Sequence, residues 1–90
     1  MESAHYKAIG QAIAETRKNN GLTQMQVCSR MQHVVGMSQG RLSRLERGEW
    51  LPTAGQFEHL IRAMQCTEDQ ARELRYLAAQ ACERGTNAGC

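Results

Sequence analysis

Three times along this 90-residue chain a threonine is followed three positions later by a glutamine: Thr23 with Gln26, Thr53 with Gln56, and Thr67 with Gln70. Each pair has the form of a capping box, in which the threonine oxygen accepts a first-turn backbone N–H and the glutamine reaches back to the threonine N–H. Apolar residues follow each box at helical spacing, and hardly any segment alternates as a strand would. The chain is predicted to be all-α, with its single proline and most of its glycines between helices.

The first helix starts after Ser3, carries Tyr6, Ile9 and Ile13 on one face, and stops at Asn19-Asn20-Gly21, where Gly21 takes the left-handed position. Thr23 opens the second helix. Its apolar face runs through Val27, Cys28, Met31, Val34 and Val35, which predicts a helix to about Val35 before Gly36 ends it. Ser38 caps the third, with Met37 and Leu42 spaced as a hydrophobic staple, and Gly48 closes it after Arg47. A connector, Glu49-Trp50-Leu51-Pro52, leads to a fourth helix with Phe57, Leu60, Ile61 and Met64 as its buried stripe. The last helix, about residues 68–84, turns Ala71, Leu74, Leu77, Ala78, Ala81 and Cys82 inward, and Gly85 begins a polar, flexible tail over residues 85–90. Residues 1–84 are thus expected to form one five-helix domain.

Such a short chain buries about 60 to 65% of its unfolded surface, which leaves little room for an internal catalytic cavity. Neither a nucleophile–base–orienter set nor a metal-ligand spacing can be assembled, so no enzyme, cofactor or metal is expected. Cys28, Cys66, Cys82 and Cys90 lack a C-x-x-C pair, and His5, His33 and His59 complete no zinc spacing, so reduced thiols are expected. With neither a bilayer-length apolar run nor a signal-peptide pattern, the expected location is cytoplasmic, with no membrane partner. The net charge is only +2, but residues 1–52 carry +3 and the remainder −1. The charge is concentrated where the two short central helices lie.

Those helices, the second and third, joined by a Gly-containing turn, suggest a helix-turn-helix over about residues 23–48. The run Ile9-Gly10-x-x-Ile13-x-x-x-Arg17-x-x-x-Gly21-Leu22-Thr23-Gln24, with Ser38-Gln39-x-x-Leu42-Ser43-Arg44-Leu45-Glu46-Arg47-Gly48 and Pro52, closely resembles the lambda Cro and phage-repressor family, also called the xenobiotic-response-element family. The resemblance covers residues 9–66. It implies a repressor-like fold, a double-stranded DNA partner, and a third helix whose N-terminal end enters the major groove. It also implies that Arg17 and Glu46 form an internal ion pair and that Gln24 clamps a phosphate.

With Leu42 at 0° and steps of about 100°, Leu45 falls near 300° while Gly40, Ser43, Arg44 and Arg47 fall between about 100° and 200°. One side is apolar and the other small and cationic. Arginine pairs with guanine O6 and N7, and glutamine with adenine N6 and N7. Gln39, Arg41, Ser43 and Arg44 are the expected base readers. Lys18, Thr23, Gln24, Gly40, Arg47 and Trp50 are expected along the DNA backbone. The stretch from Gln32 to Gly36 is about four residues longer than the family's shortest turn, which reads as one more turn of the second helix.

A single helix reads few base pairs, so useful specificity calls for a homodimer on a palindromic operator. The last helix holds the family's usual dimer position, where Leu74, Tyr76 and Leu77 offer apolar surface. The leading reading is a DNA-binding transcriptional regulator, most simply a repressor or autorepressor. The alternatives are an antitoxin bound to a cognate protein partner and a protein-interaction module.

Overall fold

The computed structural model describes residues 3–84, with side chains described for 4–81; the expected tail at 85–90 lies outside the described residues. Five helices follow in order: α1 (Ser3–Asn19), α2 (Gln24–Ser29), α3 (Gln39–Glu46), α4 (Ala54–Ala63) and α5 (Glu68–Arg84). There is no strand among the described residues, and the fold is all-α.

All three capping boxes form. Thr23, Thr53 and Thr67 accept from the N–H groups of Gln26, Gln56 and Gln70 at 3.1–3.2 Å, and each glutamine Oε1 accepts the threonine N–H at 2.8–2.9 Å. Ser38 caps α3 by accepting from Arg41 N–H at 3.2 Å. The C-terminal ends use a complementary device. Leu22 N–H donates to Arg17 O at 3.0 Å and Glu49 N–H to Arg44 O at 2.8 Å, each across a glycine in the left-handed region. These are the long bonds of Schellman motifs. A third such bond, Cys66 N–H to Ile61 O at 3.4 Å, ends α4, but here the left-handed residue is Gln65, at φ 59°.

Ile9, Ile13, Val27, Leu42, Leu45, Leu60, Met64 and Leu74 meet in one core that draws on every helix. The α1–α3 contact depends on Gly10. A Cβ there would overlap the Leu45 carbonyl oxygen and crowd that of Glu46, so only glycine lets the two backbones approach this closely. At the far end of α1, Asn20 donates to Met64 O at 2.9 Å and exchanges two amide bonds of 3.1 Å with Gln70, fastening α1 to the α4–α5 turn. Arg75 reaches from α5 to Glu58 on α4 through bonds of 2.7 and 2.8 Å.

The expected length of α2 needs correction: the helix stops at Ser29, and the additional residues enter the connector. From Arg30 onward the chain advances by three-residue turns, with Met31 N–H bonded to Cys28 O, Val34 to Met31 O and Met37 to Val34 O. Helix α4 holds this path. Arg30 Nη1 donates to Ala63 O at 2.9 Å, and Gln56 Nε2 donates to Val35 O at 2.8 Å. Adjacent β-branched Val34 and Val35 also gain less from a helix than straight side chains would. Met31 stays buried and Val34 packs against the core, but Val35 is 89% exposed, opposite to its expected inward position.

Candidate nucleic-acid interface

Leu42 and Leu45 pin α3 to the core with no exposed surface. Their burial fixes the rotation of the helix, so that Gln39, Gly40, Arg41, Arg44 and Arg47 are all exposed and Ser43 is partly covered. A second anchor lies behind it. Arg17, only 8% exposed, forms a forked pair with Glu46 at 2.7 and 3.0 Å and donates through Nη1 to Leu22 O at 2.9 Å. The arginine joins the end of α1, the entry to α2 and the end of α3. Gln24 completes the cluster by donating to Glu46 Oε1 at 2.9 Å, which commits part of the expected phosphate clamp to an internal partner.

The expected base and backbone readers divide into two groups. Gln39, Arg44 and Lys18 are exposed, and their side chains make no hydrogen bond to another described side chain or backbone group. Arg41, by contrast, donates to Gly36 O at 3.2 Å and lies over the half-buried Trp50, with its guanidinium carbon 5.5 Å from the ring centroid. That cation–π contact ties the start of α3 to the connector after it. Arg47 donates to both Glu49 oxygens at 3.2 Å and to Ser43 Oγ at 2.6 Å. The Glu49 carboxyl is consequently held below the usual carboxylate range, and the Arg47 guanidinium is raised. Thr23 remains exposed, with its hydroxyl occupied as the cap of α2.

Between α2 and the start of α3 lies an open groove of about 550 Å³, lined by Met25, Cys28, Ser29, Met37, Ser38 and Gln39 among others. Cys28 is half-buried, and burial first, then the charge of Glu46, pushes its thiol up. Burial also raises the Cys66 thiol, with Arg75 opposing it. Both are free thiols. His33, beside the connector, is exposed and meets His59 edge to face with the ring centroids 5.2 Å apart. Among the described residues no three histidine, cysteine or acidic side chains converge as a metal site would require.

The expected dimer residues do not share one surface. Leu74 is 1% exposed and belongs to the core of the monomer, which corrects its assignment to a contact between subunits. Position 74 faces the core, because it falls on the same buried stripe of α5 as Ala71 and Ala81, and α5 packs chiefly on α1. Leu77 packs partly against the core, while Tyr76 is 60% exposed and accepts from Gln80 Nε2 at 3.0 Å. No described helix is long and apolar enough to cross a membrane.

Sequence reasoning missed Glu49 as the partner of Arg47, Trp50 as the platform for Arg41, and the bond from Gln24 to Glu46. Only the last had a signal, since Arg17 and Glu46 were already expected together. In comparison with known proteins, a family model described as a helix-turn-helix domain matches residues 8–74. No curated protein and no solved structure shows significant similarity to the chain.

Proposed function

The chain belongs to the helix-turn-helix domain family, and on that premise we propose that it is a sequence-specific transcriptional regulator of the lambda Cro and phage-repressor type. The observation that carries this reading is the outward face of α3. Gln39 and Arg44 stand exposed with no side-chain hydrogen bond among the described residues, on a helix whose rotation is fixed by Leu42, Leu45 and the Arg17–Glu46 pair. An arginine presented in this way offers two parallel N–H donors that match guanine O6 and N7, and a glutamine matches adenine N6 and N7. Gln39 and Arg44 are the primary base readers. Ser43, held against Arg47, serves beside them; Arg41 anchors the start of α3 through Trp50, and Lys18, Thr23, Gln24 and Gly40 lie along the phosphates.

Two copies bind a palindromic operator, one per half-site, and repress by occluding RNA polymerase. Footprinting on DNA upstream of the protein's own gene, at two salt concentrations, tests the reading. A symmetric protected site that weakens with salt is expected. Arg44→Ala should keep the parent's melting temperature, lose about 1–3 kcal/mol of operator binding, and relax specificity at one position of each half-site. A folded Arg44→Ala that binds as tightly and selectively as the parent overturns the role given to that residue.

A further inference from the structure

Two residues apart on a helix do not face one another, yet Arg47 and Glu49 form a two-bond ion pair. The left-handed turn at Gly48 reverses the chain, and the bond from Glu49 N–H to Arg44 O brings the carboxylate back beside the outward face of α3. Both side chains remain about half exposed, at 55% and 52%. An exposed pair of this kind contributes little to stability. Its larger effect is on the surface it occupies. Glu49 places a negative charge beside Arg44 and Arg47, where the proposed partner carries a phosphate backbone, and it takes up two of the Arg47 N–H donors while Ser43 takes a third.

Resting on the DNA-binding reading above, we propose that Glu49 restrains contact with the phosphate backbone: by holding Arg47 and repelling phosphate, it lowers the part of the affinity that does not depend on sequence. Guanidinium binds phosphate best with two parallel donors, and the fork formed by Arg47 Nε and Nη2 is closed to phosphate while it holds Glu49. Each phosphate neutralised steepens the salt dependence of duplex binding by about 0.9 in log–log slope. Releasing Arg47 adds about one such contact. Sequence-independent affinity should therefore rise about three- to tenfold at low salt, and operator affinity should rise by a similar factor, because the base contacts are unchanged and the phosphate contact is common to both.

Fluorescence anisotropy with a random-sequence duplex and with the footprinted operator, over a salt series, compares the parent with Glu49→Gln, Arg47→Gln and the double variant. Melting temperature is followed alongside as the check on folding. Glu49→Gln is expected to bind the random duplex more tightly with a slope steeper by about 1, and to bind the operator more tightly by a similar factor. The double variant should lose that gain. An unchanged slope in Glu49→Gln, with the parent binding normally, overturns this inference and leaves the DNA-binding reading intact. A gain that persists without Arg47 overturns the restraint of that arginine. If the parent binds no duplex at any salt concentration, the DNA-binding reading falls, and the role of Glu49 falls with it.

Discussion

Two side chains show how much one residue contributes here. Gln65 ends α4 at φ 59°, a conformation that crowds the Cβ of an L-residue, where the corresponding ends of α1 and α3 have glycine. Gln65→Gly should relieve that crowding and stabilise the protein by about 1 kcal/mol, offset in part by the freer unfolded chain. A thermal melt should shift upward by a few degrees, on the order of 4–8 °C per kcal/mol for a domain this small. Arg17 is the opposite case. Its guanidinium is buried against Glu46 and Leu22 O, so Arg17→Ala leaves an uncompensated carboxylate and should cost about 3–5 kcal/mol in urea or thermal unfolding. Any accompanying loss of DNA binding would then report unfolding, a distinction that Arg44→Ala supplies by keeping its melting temperature.

At the scale of elements, α2 and α3 have six and eight residues, too short to hold a helix in isolation. Their order comes from α1, which meets α3 backbone to backbone at Gly10. Gly10→Ala should force the helices apart or bend one of them, a cost of about 1–3 kcal/mol or somewhat more. Because the displaced element is α3, operator affinity should fall further than stability alone accounts for; a melt and a binding titration on the same sample check this. The starts of α2 through α5 were legible in the sequence because capping is local: Thr, Ser and Gln within four residues decide it. The end of α2 was not, because it is set by Arg30 and Gln56, whose bonds join segments 33 and 21 positions apart. The same reason divides the site. Arg44 follows from the periodicity of α3, but Arg41 on Trp50 and Arg47 on Glu49 depend on how the chain turns after Gly48, which helical spacing does not encode.

For the whole molecule, size decides how a site is read. The described residues span 31 Å at their longest, whereas half-sites on one face of a duplex recur about every 34 Å. One copy therefore presents one recognition helix to one half-site, and the proposed palindrome requires a second copy. With Leu74 inside the core, Tyr76 is the exposed apolar side chain of α5 around which that contact would form. Tyr76→Glu should convert a dimer to a monomer in sedimentation velocity without lowering the melting temperature of the monomer fold, and should reduce the footprint to scattered half-sites. Sedimentation of the parent as a monomer at concentrations that protect the operator would instead place dimer formation on the DNA.

The division of α3 between its two faces has a consequence for heredity. Leu42, Leu45 and Glu46 hold the helix in place, while Gln39, Gly40 and Arg44 face outward without an internal hydrogen-bonding partner for a side chain. Substitutions at those outward positions alter what the surface recognises and leave the scaffold's stability nearly untouched. On the proposed DNA-binding reading, a lineage carrying this fold exchanges one target for another in single steps, each leaving a folded protein, and a library randomised at those positions would sample the same route at the bench.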